Sequence, residues 1–337
     1  MRAASGSSPV RIGLATTVIL LVACEAPTRL DAPSPPLPYG QLEPRGIVRL
    51  AAGDSARFTF VRIDPTDGSR TTIAGAAFAS SDPEVATVDA LGQVRSTGEG
   101  YARIVARTDS FADSVWVHRA LETAPAEVFD LEFAPSVPEA RRRNARRAAR
   151  RWAELLHDSL TTVSLDVPGG TCGFGVTWPT DIRDEARRLR VLIMTSPMSV
   201  AAGSSVCVRR AVGIPALSFI LVSTDPVNAV IDDAWWDRIF LHEFGHALGL
   251  VADLTVPPGG QLASPAMLIG FRHDHGRDGV LSYDQRAHWI GLRGDIMDGE
   301  TGTNAAVIGR TTLGRLFDMG YAVRLQQSGP LDLARIP

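Results

Sequence analysis

At 337 residues, with 45% hydrophobic and 21% charged side chains, the chain is long enough for two ordinary domains and too apolar to be disordered. A net charge of −3 excludes the strongly basic balance of a nucleic-acid binder. All 34 basic residues are arginine, which points to the base composition of the gene rather than to a mechanism.

Residues 1–23 have the build of an export signal: Arg2 and Arg11 supply positive charge, and Ile12 to Val22 form an apolar run too short to span a bilayer. The run ends in Leu21-Val22-Ala23-Cys24, which resembles the lipobox of bacterial lipoproteins. That resemblance implies an acylated Cys24 and a protein anchored by lipid in the bacterial cell envelope, at the outer membrane or cell surface. Three cysteines are an odd number for an exported chain. With Cys24 lipidated, Cys172 and Cys207 are left to pair, in a loop whose closure is worth up to about 4 kcal/mol; two reduced thiols are the alternative. Residues 24–44 read as a linker, because Pro27, Pro33, Pro35, Pro36, Pro38 and Pro44 favour a stiff extended chain.

Residues 45–119 read as an all-β unit. Alternating runs at Arg57–Val61, Val85–Val88, Ala102–Ala106 and Ser114–Val117 are separated by turn residues such as Asp67-Gly68, Asp82-Pro83 and Leu91-Gly92. That rhythm suits a β-sandwich. The stretch from Ser80 to Asp89, followed by Gly92-Gln93-Val94 and by Gly98 to Ala102, resembles bacterial Ig-like domains of surface proteins. The resemblance implies a spacer or adhesion module, and no residue in it suggests catalysis.

The remaining residues, 120–337, mix helix and strand without strict alternation, which makes the class α+β. A helix is expected after Pro138, with Ala145, Ala148, Trp152, Leu155 and Leu156 on its apolar face. Its other face carries Arg141, Arg142, Arg143, Arg146, Arg147, Arg150 and Arg151, read as a solvated face, with anionic lipid or polysaccharide binding as the alternative. Arg190–Thr195 and Leu217–Val222 read as buried strands.

Asp232 or Asp233 can cap a helix running toward Leu250 that contains His242-Glu243-Phe244-Gly245-His246. Residues four apart share a helix face, so His242 and His246 can bind one tetrahedral zinc ion. Glu243 falls about 100° around, beside the metal, where it can accept a proton from an activated water. The flanks Ile239, Phe240, Leu241, Phe244, Leu248 and Leu250 bury this helix, and two buried imidazoles with a carboxylate are costly without a metal. Gly249 follows His246 by three, as in the extended metzincin pattern, yet the next ligand position is Ala252, which cannot bind metal.

The leishmanolysins keep that glycine and delay the third histidine. His288-Trp289 with Asp295-Ile296-Met297 resembles their third ligand and Met-turn, Thr311 to Tyr321 their closing helix, and Val206 to Ser223 the strand before their active-site helix. The resemblance spans roughly 125–325. It implies a metzincin-type catalytic domain and a zinc endopeptidase acting on protein or peptide substrates. By position it implies His242, His246 and His288 as ligands of one zinc, Glu243 as general base and Met297 beneath the metal. The insertion from Ala252 to Ala287 is shorter than that family's. For the third ligand His273, His275 and Asp253 remain open beside His288; Phe271 to Gly276 reads as an exposed loop. Glu300, in a Gly-rich stretch, is a weak candidate for a zinc hydrolase of another class. Outside enzymes, the competing function is a surface adhesion lipoprotein with an inactive protease-like domain.

Overall fold

The computed structural model describes residues 36–121, 127–156, 160–169, 181–229, 232–250, 261–262, 264–279, 281–283, 288–290, 292, 294–298 and 307–330. The signal segment, Cys24, Cys172, Asp253 and Glu300 lie outside the described residues. The class is α+β.

Ten strands come first: β1 (Tyr39–Glu43), β2 (Ile47–Arg49), β3 (Ser55–Arg57), β4 (Thr59–Ile63), β5 (Arg70–Thr72), β6 (Ala77–Ser80), β7 (Ala86–Val88), β8 (Gln93–Ser96), β9 (Gly100–Arg107) and β10 (Ala112–Arg119). They form three sheets, ordered β1-β4-β5, β2-β10-β9-β6 and β3-β8-β7. One core joins them, with Leu42, Phe58, Phe60, Ile104, Val115 and Val117 turned inward. Strand alternation makes this possible: Ala102, Ile104 and Ala106 of β9 are buried while Arg103 and Arg107 face water. The linker expected through Pro44 ends earlier, because β1 pairs antiparallel with β4 and buries Leu42 completely.

Next come β11 (Phe129–Phe133), α1 (Glu139–Leu155), β12 (Val163–Val167), β13 (Ile182–Ala186), β14 (Leu189–Ser196), β15 (Ala202–Arg209) and β16 (Pro215–Ser223). The sheet order is β11-β14-β16-β15, with β15 the antiparallel member at the edge. Both faces of β14 and β16 are covered, so these strands read as continuous apolar runs. One face packs on the helices, the other on the β12–β13 hairpin through Leu165, Ile182, Leu217 and Phe219. The segment Val206–Ser223 is two strands, because the turn at 210–214 folds β15 back on β16. Cys207 on β15 is disulfide-bonded.

The four-residue helix α2 (Pro226–Ala229) leads to α3 (Asp233–Ala247), which crosses α1. Trp152 of α1 is wholly buried and donates its Nε1 proton to the Leu241 carbonyl at 2.8 Å. After α3 come β17 (Gln261–Leu262), α4 (Pro265–His275), β18 (Leu281–Tyr283), β19 (Trp289–Ile290), β20 (Val307–Ile308) and α5 (Arg310–Asp318). No helix of the described residues is long and apolar enough to cross a membrane.

The arginine face of α1 is not simply solvated. Arg141 pairs with Asp233 at 3.1 Å and lies over the Trp236 ring. Arg142 donates to the carbonyls of Val137 and Ala134, and Arg147 pairs with Asp237, a carboxylate 3% exposed. Arg151 is buried. Arg143 and Arg150 are exposed. Burial raises the Asp237 carboxyl above its ordinary pKa, opposed by hydrogen bonds from Asn144 and Arg147. Arg147→Ala is therefore expected to destabilise by about 1.5–3 kcal/mol, and Arg143→Ala by no more than about 0.5 kcal/mol; urea unfolding of both variants measures the contrast.

Candidate metal centre

Helix α3 begins where the sequence placed it. Asp232 is the N-cap, its carboxylate accepting from the Trp235 backbone N–H at 2.7 Å, and Asp233 adds negative charge to the first turn. The helix ends at Ala247, and Gly249 turns the chain with φ of 96°. Between these ends His242, Glu243 and His246 are each more than nine-tenths buried.

His242 and His246 rings lie 4.6 Å apart, and the His288 ring, entering just before β19, lies 4.9 and 5.4 Å from them. One ligand atom from each falls within 4.8 Å of the others. Backbone carbonyls decide which nitrogens face inward. His242 Nδ1 donates to the Ile296 carbonyl at 2.6 Å, and His246 Nδ1 donates to the Leu250 carbonyl at 2.8 Å. A carbonyl only accepts, so each ring carries a proton on Nδ1, and in the neutral form that leaves the lone pair on Nε2, the arrangement a metal ligand needs.

The segment carrying His288 is tied to the turn at Met297: Trp289 N donates to the Met297 carbonyl at 2.8 Å. Met297 is 1% exposed and packs against the α3 backbone at Gly245. A Cβ there would collide with its sulfur and meet the Trp152 ring. The C-terminal end closes the same way, with the buried Tyr321 hydroxyl donating to the Leu248 carbonyl at 2.9 Å; burial pushes that phenol above its ordinary range.

Glu243 sits beside the histidines with its Oε2 accepting from the Ser204 hydroxyl at 2.6 Å. Burial pushes its carboxyl up to about 7, against the lowering effect of that hydrogen bond. Ser204 was not singled out from sequence; a serine in an alternating strand carries no local mark of a partner 39 residues away. Asp295, a half-buried carboxylate, stands two residues before Met297. It accepts from Met297 N at 2.8 Å, Thr312 Oγ1 at 2.8 Å and Gly309 N at 3.2 Å. Burial raises it to about 7.

The stretch Phe271 to Gly276 is not the expected loop but the end of α4, started by Pro265 and closed by Gly276 in the left-handed conformation. It packs through Met267, Gly270 and Phe271, a spacing the polar His-Asp-His-Gly end concealed. His273 bonds to Asp274 and to the Ser81 carbonyl, while His275 packs on the Phe271 ring. Neither belongs to the histidine cluster.

No protein-family model matches the chain, and no curated protein is significantly similar to it.

In an isolated helix, replacing glycine by alanine gains about 1 kcal/mol. At Gly245 the sign reverses, because the added methyl meets Met297. Gly245→Ala is expected to cost about 1–3 kcal/mol in thermal or urea unfolding, and a more stable variant would contradict this packing.

Proposed function

We propose that this chain is a zinc-dependent endopeptidase of metzincin type, similar to the leishmanolysins, preceded by an Ig-like unit and held in the cell envelope by lipid on Cys24. His242, His246 and His288 hold one zinc ion, and Glu243 is the general base. The observation that carries the reading is the convergence of three imidazoles, two from α3 and one from a distant segment, to within 4.8 Å beside a buried carboxylate. Three neutral histidines are the ligand set of a hydrolytic zinc site, which keeps a fourth position open. Zinc bound there would acidify a water and polarise a scissile carbonyl.

The chain's own residues do the rest. Glu243 accepts the proton of the attacking water and returns it to the leaving amine. Ser204 holds one carboxylate oxygen, which fixes the side chain and leaves the other oxygen for proton transfer. The edge strand β15, which carries Ser204, offers main-chain groups along which an extended peptide can pair. That edge favours a polypeptide substrate over a small molecule. The adhesion reading with an inactive protease-like domain is weaker, because every group the chemistry needs is present.

Glu243→Gln is expected to keep zinc and lose about 10²–10⁴-fold in casein turnover, with metal content and activity measured on one preparation; a fully active variant would sink the general-base assignment. His288→Ala is expected to release zinc on dialysis against a weak chelator, whereas His273→Ala and His275→Ala retain it. Retention of zinc by His288→Ala would move the third ligand elsewhere.

A further inference from the structure

The first turn of α5 joins three parts of the molecule. Thr312 Oγ1 accepts from Trp289 Nε1 at 3.2 Å, which braces the residue next to His288. The same hydroxyl donates to Asp295, whose carboxylate also takes the Met297 amide, one residue beyond the Ile296 carbonyl that holds His242. Thr311 is held by Asp274 of α4 through its amide at 2.8 Å and its hydroxyl at 2.9 Å. The residue before these, Arg310, reaches out of this layer into the N-terminal all-β unit, where it forms an ion pair with Asp82.

That ion pair is built, not incidental. The Asp82 side chain is 8% exposed and that of Arg310 17%. Asp82 uses its other carboxylate oxygen to take the Glu84 amide at 3.1 Å, so its position is set by its own turn. One residue earlier, the Ser81 carbonyl accepts from His273 of α4 at 3.3 Å. A second contact lies across the same interface. Arg151 of α1 stacks over Tyr101 at 5.0 Å and donates to the Gln327 carbonyl at 2.7 Å. Gly100, with φ of 125°, lies so close to the Gln326 carbonyl that any side chain would collide with it. A tethered spacer has no need of buried charges facing its neighbour, and burying them is unfavourable unless the contact persists.

We propose that the N-terminal all-β unit is a buttress for the histidine cluster, and that Asp82 and Arg310 are positioning residues acting through the first turn of α5 on the segment bearing His288 and Met297. The proposal rests on the metal-centre reading only for its consequence on metal affinity; the mechanical link stands on the interface itself. Docking of the unit fixes where α5 begins, and the two threonines pass that position on to Asp295 and Trp289. Loss of the dock loosens the third-ligand segment while α3, capped and buried independently, keeps His242 and His246 in place.

The test uses the full chain with Asp82→Arg, Arg310→Asp and the two combined, and with Arg95→Asp as an exposed control on the same unit. Two readouts are taken: amide hydrogen exchange over residues 288–298 in the metal-free protein, and cobalt(II) affinity with its visible ligand-field spectrum. Each single variant is expected to speed exchange in that segment and to weaken cobalt binding about tenfold, as loss of outer-shell support does. The charge-swapped double variant is expected to recover part of both, because the ion pair returns while the Glu84 amide stays without its carboxylate acceptor, and Arg95→Asp to change neither. Exchange and cobalt binding unchanged in the single variants, or lost in the double variant as fully as in the singles, would overturn the proposal. If a single variant loses its far-ultraviolet helix signal, Asp82→Asn is measured in its place, and wild-type exchange there overturns it equally. Absence of cobalt binding in the wild-type chain would instead refute the metal-centre reading, and the exchange arm would still decide this one.

Discussion

The hydrogen bond from His242 Nδ1 to the Ile296 carbonyl joins segments 54 residues apart, and the surrounding structure serves to keep it at 2.6 Å. It fixes the tautomer of one histidine, and it places the turn containing Met297 against the helix that bears the other. Helix α3 can place only two of the three clustered imidazoles on one face; the third must come from a segment with no helical reason to be there. A backbone carbonyl is a suitable tether because its position depends on the fold of the whole turn. The tether holds only if that turn is itself stiff. Asp295 makes it so by gathering the Met297 amide, the Gly309 amide and the Thr312 hydroxyl around one carboxylate. Burying that carboxylate is unfavourable, and its three donors offset the loss of hydration.

Much of this was legible in the sequence because it is local. The cap at Asp232, the four-residue spacing of His242 and His246, and the apolar flanks that bury α3 all follow from helical period. The continuous apolar runs of β14 and β16 follow from strands covered on both faces. The alternation in β9 and β10 follows in the same way. His288 was harder, and what marked it was the resemblance of His288-Trp289 and Asp295-Ile296-Met297 to the leishmanolysin pattern, not any periodicity, with His273, His275 and Asp253 left open beside it. The structure brings His288, Trp289 and Met297 together.

What was not legible is long-range. Ser204 bonds to a residue on another element, and the pattern of β15 gives no reason to prefer it over Ser205. The end of α4 looked like a polar loop because His273, Asp274 and His275 face other parts of the protein rather than the core of their own helix. The arginines of α1 looked like a solvated stripe for a related reason. Charge in a sequence signals water by default, and only the fold reveals that Asp233, Asp237 and several carbonyls lie within reach. Tyr39–Glu43 was hidden by its prolines on both sides, since a short strand at the start of a sheet needs a partner to declare itself.

The same reasoning bears on the N-terminal unit. Read alone, its turn Ser80-Ser81-Asp82-Pro83 is one more polar connection between strands. In the fold it is the surface that meets α4 and α5, and its serine carbonyl and aspartate carboxylate are each spoken for by a side chain across the interface. A polar turn that only faced solvent would tolerate many residues. One that must hold its own backbone with one carboxylate oxygen and an arginine with the other requires a short acidic side chain at that place. The constraint on position 82 therefore comes from the far side of the molecule, from a helix whose own first turn supports the segment carrying His288.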